Sequence, residues 1–190
     1  MPKIDNIEET PNPNAVKFIL KEPVTSGTTR SFHGVEEAAT DALARSLFEV
    51  GEIVSVFYMD KMITVEKEDA ADWDELLPRL AVPIRAAESV ASGEGAKAAA
   101  AAAGVGGPLG ALMSDDPRLA RVNEILDERI RPYLASDGGW LEVLSLEDKK
   151  LTIHYQGACG SCPSSLSGTL MGIEKLMQEE IDPEIEVVAV

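Results

Sequence analysis

The chain has 190 residues, enough for two domains of modest size, and its content of 45% hydrophobic and 26% charged residues is ordinary for globular proteins. The formal charge is −16, and both ends of the chain share it: residues 1–90 carry 9 Lys/Arg against 17 Asp/Glu, and residues 114–190 carry 7 against 15. Phosphate groups are bound by concentrated Lys and Arg, so we expect neither nucleic acid nor an anionic membrane as a partner. The sequence contains no apolar run near the roughly 20 residues that cross a bilayer.

The expected location rests on the N-terminal residues and the cysteine content. The opening MPKIDNIEETPNPN lacks an apolar segment and is acidic, unlike a secretory signal or a transit peptide. Two cysteines in 190 residues do not make a disulfide scaffold. The sequence therefore predicts a reducing, cytoplasmic location, where a Cys-x-x-Cys pair is typical of redox or metal chemistry.

Residues 1–90 are predicted to form one small α+β domain. TPNPN (10–14) is typical of a turn that leads into a strand, AVKFIL (15–20), and a second short strand is expected near Thr28–Phe32. Apolar residues from Val35 to Leu47 recur with helical spacing, and Gly51 is expected to end that helix. A hairpin and a last helix follow, the latter capped by Asp72; these segments are IVSVFY (53–58), MITVEK (62–67) and the helix from Trp73 through Leu80.

A change in composition separates this domain from a second one. Residues 91–113 are rich in Ala and Gly and nearly uncharged, which indicates a flexible linker. Residues 114–190 are predicted to follow the order α-β-β-α-β, so the chain as a whole is α+β, with two small α/β-sandwich-like domains joined by the linker. The first helix is expected to begin near Pro117, with Ser114 or Asp115 as its cap, and to bury Leu119, Val122, Leu126, Ile130 and Tyr133.

The rest of the second domain is a hairpin, a cysteine loop, a helix and a strand. Asp137-Gly138-Gly139 is typical of a turn, and WLEVLSL (140–146) and LTIHY (151–155) of an antiparallel hairpin. A helix is predicted from about Pro163 to Glu180 and a final strand over residues 185–190. Gly168 and Gly172 lie four apart on that helix, which favours close packing against a neighbour, within the chain or in another subunit.

The chemistry of the chain is concentrated in GACGSCPSS (157–165), which holds both of its cysteines, Cys159 and Cys162. Pro163 suits the first turn of a helix, which puts Cys162 at the helix N-cap. Unpaired backbone N–H groups and the positive end of the helix dipole favour thiolates there. Gly157 and Gly160 allow a tight turn that brings further N–H groups close to the sulfur atoms.

Three kinds of site fit two thiolates at this spacing. A thioredoxin-like dithiol is one, although such a pair normally follows the first strand of a βαβ unit. A zinc site needs four ligands, and the two histidines are poorly placed: His33 lies in the other domain, and His154 is expected on the solvent or interface side of its strand. An iron–sulfur cluster needs four thiolates, which two copies of the chain would supply.

The motifs of the two domains resemble one known family. Residues 114–190 resemble the NifU-like C-terminal domain of Nfu-type iron–sulfur cluster carriers, and residues 1–90 resemble the Nfu/NifU N-terminal domain. The segments that carry this resemblance are IRPYLASDGG (130–139), GACGSCPSS (157–165), TLMGIEKLM (169–177), TPNPNAVKF (10–18), SLFEVGEIVSVFY (46–58) and MITVEK (62–67). Trp140 departs from the family, in which an acidic or polar residue commonly follows DGG.

The resemblance implies a non-enzymatic function with no catalytic residue. Members bind a [4Fe–4S] cluster, and sometimes a [2Fe–2S] cluster, between two subunits, which here implies Cys159 and Cys162 as the ligands. Its partners would be apo iron–sulfur client proteins and upstream cluster assembly proteins, and the loaded form would be a homodimer. A thiol–disulfide oxidoreductase that uses the Cys159/Cys162 dithiol is the alternative.

Overall fold

A computed structural model describes residues 3–89, 117–158 and 163–190 of the chain. The predicted linker, the caps proposed at Ser114 and Asp115, and both cysteines lie outside the described residues. The chain divides into two compact units, Met1–Gly107 and Pro108–Val190. No helix of the described part is long and apolar enough to cross a membrane.

The N-terminal unit is built on a five-stranded antiparallel sheet with the order β1-β2-β5-β4-β3. The strands are β1 (Ile4–Glu9), β2 (Ala15–Leu20), β3 (Thr29–Phe32), β4 (Ile53–Met59) and β5 (Met62–Lys67). The predicted strands are therefore confirmed, and β1 is an additional edge strand that the sequence pattern did not reveal. Salt bridges of Lys17 to Glu8 at 2.8 Å and of Lys21 to Asp5 at 3.2 Å link β1 to β2 and to the residue that follows β2.

Two helices of this unit pack on one face of the sheet. They are α1 (Ala42–Phe48) and α2 (Trp73–Ala86). Their buried side chains join those of the sheet in one core, formed by residues that include Phe18, Leu20, Leu47, Val56, Ile63, Leu76, Leu80 and Ile84. Pro78 and Pro83 lie inside α2 without dividing it, and the Asp72 side chain accepts a hydrogen bond from the N–H of Asp74, as a cap should.

The predicted helix from Val35 to Leu47 is wrong in its first half. Glu37–Thr40 form a 3₁₀ turn, and Val35 is 55% exposed. Asp41 has an extended backbone, and its side chain accepts a hydrogen bond from the N–H of Ala44, so α1 begins only at Ala42. The other oxygen of Asp41 accepts hydrogen bonds from Arg30 and Tyr58, at 2.5 Å each, which fixes the cap to the sheet.

The TPNPN segment is the turn between β1 and β2, as predicted. The Thr10 hydroxyl donates to the carbonyl oxygens of Asn12 and Ala15, and the Asn12 amide donates to buried Glu66 at 3.1 Å. The Trp73 indole donates to the carbonyl oxygen of Pro13 at 3.1 Å. These contacts join the turn to β5 and α2, which accounts for the motif structurally.

The C-terminal unit has the predicted order of elements, with its first helix broken in two. The elements are α3 (Arg118–Arg129), α4 (Arg131–Ser136), β6 (Gly139–Glu147), β7 (Lys150–Gly157), α5 (Pro163–Glu180) and β8 (Glu186–Ala189). β6 and β7 form an antiparallel hairpin, and β8 pairs with β7 in parallel. The core lies between the sheet and the helices and includes Val122, Leu126, Leu141, Leu151, Ile153, Ile173 and Met177.

The break at Ile130 changes which residues of the first helix are buried. Leu119, Val122 and Leu126 are in the core as predicted, and Ile130 is partly buried against it. Tyr133 was predicted to be buried but is 73% exposed. Pro132 sits in the first turn of α4, where a proline is tolerated and where a new helix direction begins, so the periodicity of α3 no longer applies.

Candidate functional site

The cysteine segment joins the end of β7 to the start of α5. Residues 159–162 themselves lie outside the described residues, and the structure describes both of their attachments. β7 ends at Gly157, followed by buried Ala158, and α5 begins at Pro163. Two thiols are thus carried between a central strand and a helix N-terminus.

The strand-side attachment is fixed by the Asp137-Gly138-Gly139 segment. Gly157 lies opposite Gly139 in the hairpin, and the N–H of Ala158 donates to the carbonyl oxygen of Gly138 at 3.2 Å. Gly138 and Gly157 have φ angles of 77° and 70°, the left-handed region that favours glycine. The backbone of Gly138 and Gly139 therefore pairs with that of Gly157 and Ala158, the last described residues before the cysteine segment.

Replacing Gly157 by alanine is expected to lower the free energy of unfolding by about 1–2 kcal/mol, because a Cβ strains a left-handed residue. Iron loading should fall as well, since the change lies two residues from Cys159. Gly168→Ala is the matched control: in α5 it has no positive φ, no described heavy atom lies within 4 Å of the added Cβ, and roughly 0.5–1 kcal/mol of stabilisation is expected. Urea unfolding measures both, and equal effects at the two glycines would contradict the assignment of strain to Gly157.

The helix-side attachment is the N-terminus of α5. Pro163 is its first residue, and Ile173 and Met177 are fully buried, which holds the helix against the sheet. The first N–H groups of a helix have no partner within it and carry the positive end of its dipole. Thiolates that precede such a terminus are stabilised relative to thiols, for metal binding and for disulfide exchange alike.

Arg131 connects the helices beside the site to β6. Its Nε donates to the carbonyl oxygen of Leu141 at 3.1 Å, and its other nitrogens donate to Asp127 at 2.6 Å and Asn123 at 2.9 Å. Its guanidinium carbon lies 5.4 Å from the centre of the Trp140 ring. Arg131 thereby fixes α4, and the DGG segment that follows it, to the strand that supports Gly157.

A pair of buried polar side chains lies on β6 and β7, outside the hydrophobic core. Glu142 and Gln156 are buried, and the Gln156 amide donates to Glu142 at 3.2 Å. Burial raises the pKa of the Glu142 carboxyl above its ordinary value of 4.5, against the opposing influence of His154, Arg131 and this hydrogen bond. The ionised carboxylate of Glu142 therefore costs stability in the folded chain.

The variant Glu142→Gln should be more stable than the wild type at pH 7. A raised pKa means that the folded wild type holds a proton that the unfolded chain has lost, so its stability declines as the pH rises from 4.5 through the folded pKa. Glutamine does not titrate, and the advantage of the variant should shrink as the pH falls towards 4.5. Thermal unfolding from pH 4 to 7 measures the difference in stability between the variant and the wild type, and the exposed substitution Glu147→Gln is the control for losing one carboxylate. If the variant's advantage in stability grew as the pH fell, the raised pKa of Glu142 would be contradicted.

The histidines do not join the site in the part of the chain that the structure describes. His154 is half-buried, and its Nδ1 lies 2.7 Å from the carbonyl oxygen of Val190. His33 belongs to the other unit and lies 3.5 Å from the Ser31 hydroxyl. Within residues 3–89, 117–158 and 163–190, no group of three or more His, Cys, Asp and Glu side chains could hold a metal ion.

Sequence reasoning missed two features beside the cysteine segment. The first is Arg131, whose only signal is its spacing from Asp127, four residues earlier on the helix. The second is a groove between α4 and α5 that exposed Tyr133 lines. Gly168 and Gly172, for which close packing within the chain or against another subunit was predicted, are both exposed, and no described heavy atom of the chain lies within 4 Å of an added Cβ, so the first of these two alternatives is not met in the described residues.

Two cysteines between a strand and a helix of a small α+β unit are typical of a site that binds metal through thiolates or of a redox-active dithiol. Comparison with known proteins identifies the family. Residues 4–89 match the model of the scaffold protein Nfu/NifU N-terminal family, and residues 122–188 match that of the NifU-like domain. The human protein named NFU1 iron-sulfur cluster scaffold homolog, mitochondrial, is 37% identical over 94% of this chain and 68% of its own length. The protein of the same name from Drosophila willistoni is 34% identical over 95% of this chain and 61% of its own length. The chain belongs to the Nfu family of iron–sulfur cluster scaffold proteins.

Solved structures give weaker likenesses. A crystal structure of a Staphylococcus aureus protein has a TM-score of 0.39 at 31% identity, covering 43% of this chain and 96% of that one. A solution structure of a NifU-like protein from Saccharomyces cerevisiae has a TM-score of 0.40 at 22% identity, covering 47% of this chain and 79% of that one.

The predicted cytoplasmic location is wrong by this comparison, because the similar human and Drosophila proteins are named as mitochondrial. The prediction rested on thiols that need a reducing environment and on the composition of the first residues. The low cysteine content does not distinguish one reducing compartment from another, and the comparison overturns the inference drawn from the first residues.

Proposed function

We propose that this protein is a non-enzymatic scaffold and carrier that binds a [4Fe–4S] cluster between two copies of the chain and transfers it to apo-proteins in mitochondria. The observation that carries the proposal is the Cys159–Cys162 pair, set between β7 and α5 in a chain whose two domains both match Nfu family models. A cubane cluster takes four thiolates, and each chain has two cysteines. A two-fold dimer supplies the full set.

The surroundings of the cysteine segment suit a cargo that must be held and then released. The strand side is held to the hairpin by the Ala158–Gly138 hydrogen bond and the Gly157–Gly139 pairing. The helix side offers backbone N–H groups, which stabilise thiolates and cluster sulfur atoms. Because each chain contributes only two ligands, the loss of one thiolate weakens the binding of the cluster. The same four sulfur atoms could also hold a [2Fe–2S] cluster.

Transfer then proceeds by exchange of ligands, without oxidation or reduction. A client thiolate forms a bond to one iron as the bond from that iron to Cys159 or Cys162 breaks. The released thiolate takes up the proton that the client thiol gave up, so charge and atoms balance. Four such exchanges move the whole cluster to the client.

The domains have separate tasks in this proposal. Residues 114–190 carry the cluster, residues 1–90 recognise clients, and residues 91–113 are the linker that sets the reach between them. The two family matches, over residues 4–89 and 122–188, fall inside the ranges 1–90 and 114–190, which supports these boundaries. The partners are apo iron–sulfur clients and the upstream assembly proteins that deliver the cluster.

A transfer experiment tests the function. Full-length protein is loaded anaerobically with iron and sulfide and mixed with an apo-ferredoxin, in the presence of an iron chelator, while circular dichroism follows the client cluster. We expect transfer that resists the chelator and is lost when the ligand cysteines of the client are replaced by serine. Transfer abolished by the chelator would mean release into solution and would contradict a carrier; reduction of insulin disulfides by metal-free protein that binds no iron would favour the dithiol oxidoreductase instead.

A further inference from the structure

We propose that three helix side chains close the two edges of the C-terminal sheet to strands of other chains. They are Arg131 of α4 and Glu174 and Gln178 of α5, and each forms a hydrogen bond with the backbone beside a sheet edge where a neighbouring strand would bond. The inference goes beyond the proposed function, because it concerns how this unit avoids unwanted strand pairing and does not depend on a bound cluster.

The C-terminal sheet has three strands in the described part of the chain, so β6 and β8 are its edge strands. An edge strand turns a row of backbone N–H and C=O groups outward, and these groups can pair with a strand of another chain. Residues 185–190, IEVVAV, have one charged and four β-branched side chains, a composition typical of segments that aggregate by strand pairing. We therefore expect the free side of β8 to be protected.

The backbone directions along β8 follow from its pairing with β7. The two strands are parallel, and the N–H of Glu186 donates to the carbonyl oxygen of Lys149 at 2.8 Å. Because alternate residues of a strand bond to the same neighbour, the backbone groups of Val187 and of Ile185, just before β8, point to the free side. These are the groups that a further strand would use.

Two side chains of α5 occupy this free side. The N–H of Val187 donates to Oε2 of Glu174 at 3.1 Å, and Nε2 of Gln178 donates to the carbonyl oxygen of Ile185 at 3.0 Å. Glu174 and Gln178 are four residues apart, so they lie on one side of the helix. One side chain accepts a hydrogen bond and the other donates one, as the backbone of a neighbouring strand would.

The other edge of the sheet is occupied by Arg131. The N–H of Ala158 donates to the carbonyl oxygen of Gly138, and alternation along the antiparallel pair then turns the backbone groups of Leu141 away from β7. Nε of Arg131 donates to the outward carbonyl oxygen of Leu141 at 3.1 Å. Each edge of the sheet thus bonds to a helix side chain at backbone groups that face away from β7.

These hydrogen bonds change what the edge can bind more than they change stability. α5 is already held to the sheet by Ile173 and Met177, which are fully buried. A hydrogen bond at a partly exposed edge replaces one to water and adds little net stability. It also occupies a backbone group that pairing requires, so a strand that adds to β8 must first displace Glu174 and Gln178.

Hydrogen exchange of the backbone amides, followed by NMR on the full-length, metal-free and reduced protein, tests the contact at β8. We expect the Val187 amide to exchange at least about tenfold faster in Glu174→Ala than in the wild type, because its acceptor is lost. Glu174→Gln should restore slow exchange, since its amide oxygen accepts the same bond. Glu179→Ala, on the exposed side of the same helix, is the control and should leave the Val187 amide unchanged.

Strand addition itself is tested with the double variant Glu174→Ala/Gln178→Ala and a synthetic peptide of residues 184–190, EIEVVAV. We expect the double variant to self-associate in analytical ultracentrifugation at concentrations at which the wild type and Glu179→Ala show no such increase in mass. We also expect the variant to bind the peptide at least about tenfold more tightly than the wild type, with shifts of the β8 amides in NMR spectra.

Three results would overturn the inference. Unchanged exchange at Val187 in Glu174→Ala would mean that the side chain does not protect the edge. Faster exchange in a double variant that neither self-associates nor binds the peptide would leave these side chains with the task of fastening α5 alone. Binding of the peptide by the wild type, with shifts at Val187 or Leu141, would show that the edges are open, and this result does not require any variant to fold.

Discussion

Cys162→Ser is expected to abolish iron loading, from about two irons per chain in the wild type to near background, since one four-iron cluster is shared by two chains. The substitution removes two of the four thiolates in a dimer, and a serine hydroxyl at neutral pH is a poor ligand for iron. Cys159→Ser should have the same effect. Iron and acid-labile sulfide are measured after anaerobic reconstitution and desalting.

Two comparisons make the result specific. Ser167→Ala, a small change a few residues further along the chain, should retain the full iron content. Urea unfolding of the apo forms should show equal midpoints for the wild type and Cys162→Ser, so that loss of iron cannot be ascribed to loss of fold. Retention of iron by Cys162→Ser would show that the cluster is bound elsewhere and would remove the basis of the proposed function.

Arg131→Ala should cost the C-terminal unit about 3 kcal/mol of unfolding free energy, because several charge-assisted hydrogen bonds and an aromatic contact are lost together. The side chain is only 11% exposed, and its removal leaves the carbonyl oxygen of Leu141 without this donor. Arg131→Lys should recover only part of the loss, since an ammonium cannot reproduce the planar set of donors. Because the residue holds α4 and the DGG segment beside the cysteine segment, iron loading of the alanine variant should fall at temperatures near its unfolding transition.

The measurement uses Trp140 as the probe of this unit, in a Trp73→Phe background that removes the tryptophan of the other unit. Arg121→Ala is the matched control: its side chain is 52% exposed and pairs with Glu124 and Glu180 at the surface, so no measurable loss of stability is expected. Equal urea midpoints for Arg131→Ala and Arg121→Ala would refute the role assigned to Arg131.

Most of the strands and helices follow from local pattern, and the exceptions have physical causes. α5 has the predicted limits of Pro163 and Glu180 because proline and the Asp182-Pro183 pair mark its ends locally. β1 has few apolar residues; antiparallel pairing with β2 holds it in the sheet, and no pattern within the strand records that pairing. The helix predicted from Val35 begins only at Ala42 because Asp41 is its cap, held in place by hydrogen bonds from Arg30 and Tyr58 of the sheet. The helical spacing of the apolar residues continues on both sides of Asp41, so the sequence pattern does not reveal this start.

The candidate site likewise has one part that the sequence predicts and another that depends on the tertiary structure. The two thiols and the helix that follows them can be read from GACGSCPSS alone. The contact of Ala158 with Gly138 depends on the register of the β6–β7 hairpin, and the role of Arg131 depends on two helices and a strand that meet in space. The exposure of Tyr133 follows from a change of helix direction at Ile130, which a periodicity count over one continuous helix could not detect.

The central claim is that one cluster is shared by two chains, and native mass spectrometry of anaerobically reconstituted full-length protein tests it most directly. We expect a dimer of two 20.3 kDa chains that carries one [4Fe–4S] cluster and separates into iron-free monomers when the cluster is removed. A monomer that retains a complete cluster, or a dimer with one cluster in each chain, would contradict it.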